Sequence, residues 1–224
     1  MDNQGILVLI SANSEWQAVK EILAPPEIQA TPLGETFEVR KLTYFHGGWG
    51  KISAAATAQY VIDHFQPHLL VNLGTCGGFK GRIARGTVIL VTRTIVYDIL
   101  EQMSDPEEAI HHYSTELDLS WLPGLLPHSV QRGLLVSGDR DIIVKDIPDL
   151  VEKYGAVAAD WESGAIAWVA MRNGVRCLIL RGVTDLVSAE GGEAYGNIEI
   201  FHENTKLVMK TLIDQLPDWL ERIE

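Results

Sequence analysis

The chain has 224 residues, 46% of them apolar, and a formal charge of −12. That length and apolar share suit one domain, spanning 1–224, with a large core. An acidic balance without a basic run excludes a nucleic-acid backbone or an anionic membrane surface as partner, and leaves small ligands open because a site is locally unlike the whole.

The first apolar run, "GILVLIS" (5–11), is short and rich in β-branched residues, which predicts a strand covered on both faces. It follows an acid and no basic segment, and is too short for a membrane span or a secretory signal, so the expected location is the cytoplasm. "NSEWQAVKEILA" (13–24) sets Trp16, Val19, Ile22 and Leu23 at helical spacing, with Ser14 and Gln17 placed for a capping box and Pro25-Pro26 as the stop. A second helix is predicted over 51–65, stopped by Pro67, and buried strands over 68–74, 86–92, 132–138 and 156–160. A helix over 162–173 follows, closed by Gly174, with Ile166, Val169 and Met171 facing inward by spacing. A strand over 175–183 and a terminal helix over 200–223 complete the series. Residues 98–131 are irregular and acidic, carry His111, His112 and three prolines, and read as a loop over a site. Cys76 and Cys177 lie in apolar runs and read as core thiols, with a disulfide left open.

Strands alternating with helices predict an α/β fold, a three-layer α/β/α sandwich around a mixed, mainly parallel twisted sheet. Ligands of such sheets bind outside the carboxyl ends of the strands. Those ends carry Glu15, "GTCGG" (74–78), "SGDRD" (137–141), "DWES" (160–163) and "RGVTD" (181–185). A glycine-rich turn aims backbone N–H groups at a ligand, although a tight turn explains it equally. "HGGWGKIS" (46–53) is not a phosphate loop, which would need glycine where Phe45 stands. The histidines lack HExxH spacing and the cysteines CxxC spacing, so no metal site is expected. Four acids remain: Glu15, Asp160, Glu162 and Asp185. The dipole of a helix N-terminus accounts for any one of them. Four at one sheet edge make a candidate site, in which burial and like charge raise a pKa to suit a general acid.

In order and spacing these segments resemble the nucleoside phosphorylase/nucleosidase superfamily, and most its 5′-methylthioadenosine/S-adenosylhomocysteine nucleosidase branch. The likeness runs nearly end to end, through "GWGKISAAATAQYVID" (48–63), "VNLGTCGGF" (71–79), "LVSGD" (135–139), "DWESGAIAWVA" (160–170) and "RGVTD" (181–185). It implies cleavage of an N-glycosidic bond through a ribosyl cation-like transition state, with no metal or organic cofactor and a small nucleoside as partner. By the resemblance Asp185 is the general acid beside N7 of the leaving base. Glu162 grips the ribose hydroxyls, the Trp161 backbone assists, and Asp160 lies behind them or at the rim. Glu15 activates a water held by Thr75 and Arg181, and Gly77, Ile142 and Tyr195 line the base. Asp139 reads as a turn cap, and Asp98 matches part of a histidine–aspartate pair near the family's subunit contact. A homodimer whose partner loop closes the pocket is implied as well.

Two departures separate the chain from phosphorylases. Asn72 stands where they have a phosphate-binding arginine, and "SANSEW" replaces their arginine-bearing loop after the first strand. Both point to water as the attacking group. Two others separate it from the nucleosidases: no aromatic ring follows "SGD", where Asp141 and Ile142 stand, and Trp161 replaces a methionine. Stacking on the base then falls to Trp161 or Tyr195, or the base itself differs. Plainer accounts remain for several residues. Trp161 fits a core position, Arg181 an ion pair with Glu162 or Asp185, and Tyr195 a mobile glycine-rich loop. The alternatives in function are a purine nucleoside phosphorylase, a futalosine hydrolase-like enzyme, and a non-catalytic nucleoside-binding or storage relative.

Overall fold

Strand β1 (Ile6–Ile10) is buried at all five residues, as an apolar run covered on both faces requires. The computed structural model to which it belongs describes residues 5–122 and 124–223; residues 1–4, read above as lacking a basic leader, Pro123 of the irregular stretch and Glu224 lie outside them. Helix α1 (Asn13–Leu23) follows. Its cap is not the expected Ser14–Gln17 box. The helix starts at Ala12, whose N–H donates to Glu15 Oε2 at 3.2 Å, while Gln17 donates to Glu21. β2 (Gln29–Thr31), β3 (Gly34–Val39) and β4 (Leu42–His46) come next, a meander that the helical and apolar patterns did not reveal. Then follow α2 (Gly50–Phe65), β5 (Leu69–Phe79) and β6 (Val88–Val96). The irregular stretch holds a short helix α3 (Pro106–His112) and a bridge strand β7 (Thr115–Glu116). β8 (Gln131–Ser137), β9 (Ala156–Asp160), α4 (Ser163–Arg172), β10 (Arg176–Ser188), β11 (Gly191–Gly192) and α5 (Ile198–Leu220) complete the chain.

The sheet is mixed. β1 lies between β4 and β5, parallel to both, and β4 continues into antiparallel β3 and β2. β5 is parallel to β10, β10 antiparallel to β6, and β6 parallel to β8, which is parallel to β9. β9 returns antiparallel to β5 at Gly77 and Gly78. The strands β5, β10, β6, β8 and β9 therefore close a ring, and β1, β4, β3 and β2 form a wing attached to it.

Helices cover both sides. Ile6, Val8 and Ile10 of β1 pack with Trp16 and Val19 of α1 and with Met209, Leu212 and Trp219 of α5. Leu7 and Leu9 point the other way, against Ala54, Ala58 and Val61 of α2 and Ile166 and Ala170 of α4. Each buried Val, Leu, Ile or Met among these contributes roughly 1.5–3 kcal/mol relative to its exposed state. Met171 does not join them: it is exposed, because its position in the last turn of α4 faces solvent. Among the described residues no helix is long and apolar enough to cross a membrane.

"GTCGG" and "RGVTD" are strand, not turns after strands. β5 and β10 stay paired from Leu69 and Arg176 through Phe79 and Val187, with one irregularity between Val183 and Asp185. The glycines serve close approach instead. A Cβ on Gly74 would lie 1.6 Å from Arg181 Nη1, and one on Gly78 would lie 2.6 Å from Ile83 Cγ2.

Candidate active site

The segment "AADWES" turns from strand to helix within two residues. β9 ends at Asp160 and α4 begins at Ser163. The Asp160 carboxylate makes that turn: Oδ2 accepts the Ser163 N–H at 3.0 Å and the Ser163 hydroxyl, while Oδ1 accepts the Ser137 hydroxyl at 2.5 Å. Ser137 Oγ in turn accepts the Gly164 N–H at 2.8 Å. Asp160 is therefore a buried anchor and not a rim contact.

Arg181 is fully buried, and its ion-pair partner is Asp160, Nη2 to Oδ2 at 2.9 Å, in place of Glu162 or Asp185. Nε donates to Ser163 Oγ at 2.8 Å, and Nη2 donates to Asn72 Oδ1 at 2.7 Å. Asn72 is itself fixed by donating to the Leu9 carbonyl at 2.9 Å. Nη1 is buried with no protein partner. It shares the space above Gly74 with Glu15 Oε1, which would lie 2.9 Å from a Cβ there. Glu15 Oε1 accepts both the N–H and the hydroxyl of Thr75, at 2.5 and 2.8 Å. Glu15 thus caps the start of α1 with one carboxylate oxygen and holds Thr75 with the other.

Glu162 is buried, and its Oε1 accepts the Gly50 N–H at the start of α2 at 3.0 Å. Burial, then the charges of Asp160 and Glu15, push its pKa up to about 8 against the pull of Arg181 and the Gly50 N–H. Three buried carboxyls thus share one guanidinium, which favours a retained proton. Burial alone would lower the Arg181 pKa, but Asp160, Glu15 and Glu162 raise it overall.

Asp185 stands beside Gly77 in the β10–β5 ladder. Its Oδ1 accepts the Thr184 hydroxyl at 2.8 Å. Burial raises its pKa; the Thr184 hydroxyl opposes this and the charge of Glu193 adds to it. Around Gly77 lie Val187 Cγ2 and Ile142 Cδ1, 3.4 and 3.9 Å from where its Cβ would be. The Tyr195 hydroxyl donates to the Ile142 carbonyl at 3.2 Å, so the glycine-rich segment is tied to this group.

The site residues thus fall into two groups, one around Arg181 and one around Asp185. Thr75 of the first and Gly77 of the second are two residues apart on β5, about 7 Å along a strand. The intervening Cys76 thiol feels Asp160, Arg181, Asp185 and Glu15 together. Cys76 and Cys177 are buried free thiols, so the disulfide left open is not formed. A cavity of about 290 Å³ lies at the amino end of β1 among Gly5, Lys41, Phe65 and Pro67, without a comparable set of acids.

Several participants were not legible in the sequence. Trp49, 64% exposed, stacks on Trp161 with ring centroids 5.1 Å apart and planes at 22°. Trp161 is therefore a half-buried surface residue, not core. Asp139 does more than cap a local turn: its Oδ1 accepts the Lys51 N–H at 2.7 Å, so it shares the start of α2 with Glu162. Lys51 Nζ also pairs with Asp98, whose other oxygen accepts the Asp139 N–H at 2.9 Å. Among the described residues no cluster of histidine, cysteine and acid side chains is arranged to hold a metal.

Known proteins resemble the chain in sequence and in fold. A 5′-methylthioadenosine/S-adenosylhomocysteine nucleosidase of Marinomonas sp. (strain MWYL1) is 22% identical over 79% of this chain and 82% of its own length. One of Maridesulfovibrio salexigens is 28% identical over 69% and 72%. The crystal structure of a Helicobacter pylori nucleosidase of that name, with butyl-thio-DADMe-Immucillin-A, superposes with a TM-score of 0.78 at 18% identity, covering 96% of this chain and 98% of that one. A futalosine hydrolase of Helicobacter pylori gives 0.79 at 18% identity over the same shares. These likenesses in structure establish the fold. The profile of the phosphorylase superfamily matches residues 7–216, from the first strand into the last helix, and the chain belongs to that superfamily.

Proposed function

We propose that the chain hydrolyses the N-glycosidic bond of a purine-type nucleoside, with a 5′-thio-substituted adenosine as leading substrate. The observation that carries this is the pairing of two unlike sites along the β5–β10 ladder: a buried acid of raised pKa at Asp185, beside Gly77, and a carboxylate braced by Thr75 at Glu15. Asp185 protonates the leaving base, which departs neutral rather than as an anion. Glu15 takes a proton from a water held by the Thr75 hydroxyl and by Arg181 Nη1, the one nitrogen of that guanidinium free to bind it. Glu162 receives the sugar hydroxyls. Positive charge growing on the sugar draws Glu162 toward its ionised form, and the attraction between them strengthens as the bond breaks. Gly77, Ile142 and Tyr195 line the base. Asn72 supports water as nucleophile: it occupies the phosphorylase arginine's position and orients Arg181 toward Asp160. The names of the relatives, nucleosidases and a futalosine hydrolase, accord with hydrolysis. The reading carries with it one domain over the chain, a cytoplasmic place, no cofactor, and a homodimer as assembly.

The test is base release from a panel of nucleosides, with and without inorganic phosphate. Release unaffected by phosphate is expected; acceleration by phosphate would make the enzyme a phosphorylase. Asp185→Asn and Glu15→Gln should each lower kcat by about 10²–10⁴-fold while nucleosides still raise the melting temperature. No release from the natural protein across the panel, with binding retained, would make it a nucleoside-binding protein.

A further inference from the structure

We propose that Ser11 is a further residue of the hydrolytic site: its hydroxyl holds the hydrogen that the attacking water keeps, and so selects water over larger nucleophiles. This rests on the nucleosidase reading above and deepens it at the end where water binds. Ser11 opens "SANSEW", the segment that directly follows β1. Its side chain is fully buried, and its Oγ has no protein partner among the described residues. Buried hydroxyls are as a rule satisfied, so one without a protein partner calls for a bound water or a ligand.

The sheet fixes what faces that hydroxyl. Along β1, Leu7 and Leu9 point toward α2 and α4, and Ser11 keeps that side. A Cβ on Gly47 would lie 3.3 Å from Leu9 Cγ and 3.4 Å from Ser11 Oγ. On the other flank Leu9 pairs with Asn72 and Ile10 with Leu73, so the next position beside Ser11 is Gly74. Over Gly74 lies Arg181 Nη1, which is also buried without a protein partner. Arg181 belongs to the same side, because Ile179 and Val183, which flank it at alternate positions of β10, pack with Leu7 and Leu9. Adjacent strands are about 4.8 Å apart, a spacing that one water bridges where no direct bond forms. Glu15 ties the same two places together. Its Oε2 accepts the N–H of Ala12, which follows Ser11, and its Oε1 accepts the N–H of Thr75, which follows Gly74.

Donors and acceptors balance on one water. Arg181 Nη1 donates to one lone pair, Glu15 accepts one hydrogen, and Ser11 Oγ accepts the other beside the Thr75 oxygen. The second lone pair is left for the sugar. As that oxygen bonds to the anomeric carbon, the bond from carbon to base nitrogen breaks. One water proton passes to Glu15, the other stays on the new sugar hydroxyl, and the proton of Asp185 leaves with the base. Methanol carries a methyl group where water has its second hydrogen. Ser11 would then face a group it cannot bond, and a site built around a hydrogen bond rejects such a group.

The experiment compares the natural protein with Ser11→Ala on 5′-methylthioadenosine, adenosine and inosine, in buffer alone and with methanol as a rival nucleophile. In Ser11→Ala, kcat for base release in buffer should fall about threefold to tenfold, the size of one hydrogen bond, with KM kept within about twofold. The ratio of methyl glycoside to free sugar should rise by a like factor. That ratio is set within each turnover and does not depend on how much protein is folded, so a merely structural role for Ser11 would leave it alone. An unchanged product ratio would overturn the inference while base release by the natural protein keeps the nucleosidase reading. So would a raised KM at unchanged kcat, which would assign the hydroxyl to the nucleoside. No base release from any of the three by the natural protein would sink that reading, and the inference with it.

Discussion

Glu162 holds the least ordinary proton of the site. In the folded protein burial and the charges of Asp160 and Glu15 keep it to about pH 8, whereas the unfolded chain releases it near the ordinary value of 4.5. Between those values the folded state binds more protons, so stability is full below the ordinary value and falls as pH rises toward 8. For one proton the slope approaches about 1.4 kcal/mol per pH unit. Glu162→Gln should flatten the fall, read from urea midpoints between pH 5 and 9; an unchanged slope would place the proton on another group. That a carboxyl here would be raised was legible in the sequence, since four acids met at one sheet edge. Which partner each would take was not. Arg181 pairs with Asp160 because a glycine at 74 leaves room for the guanidinium, and Asn72 and Ser163 hold it. These contacts join residues up to 109 positions apart, beyond the reach of local pattern.

At the scale of elements, the start of α2 is held from outside. Its first N–H groups, on Gly50 and Lys51, donate to Glu162 and Asp139, which come from the ends of β9 and β8. A helix whose N-cap residue is Trp49 has no oxygen of its own to offer, and borrowed carboxylates supply it. Asp139→Ala should therefore cost about 0.5–2 kcal/mol. For a chain of this length that lowers Tm by about 2–4 °C per kcal/mol, measurable by calorimetry. Nearly every long helix and strand was legible from apolar spacing, β9 to the residue. The meander β2–β4 was not: its residues alternate between exposed and buried over short runs, and β2 is three residues long. The lengths of β5 and β10 were missed for the opposite reason. Glycines that read as breakers stand where a neighbouring side chain needs their empty space.

In the molecule as a whole, strands alternating with helices predict an α/β fold, and the chain has one, around a mixed sheet. Closure of five strands into a ring was not legible, because it depends on β5 changing partners: β1 borders it at Leu69–Leu73, and β9 at Gly77 and Gly78. That change of partner has a dynamic consequence. β5 lies inside the hydrogen-bonded network and has no free end from which to fray, so its amides from 70 to 78 should exchange with deuterium only through global opening. The segment 189–197 is held by a two-residue strand, by exposed ion pairs of Glu190 and Glu193 and by the Tyr195 hydroxyl, with few backbone ladder bonds, and should exchange orders of magnitude sooner. Hydrogen-exchange mass spectrometry reads both clocks in one run, and equal protection of the two would refute the contrast. A molecule with a rigid floor and a loose rim can gain thermal resistance in its strands without slowing the entry and exit of what it binds.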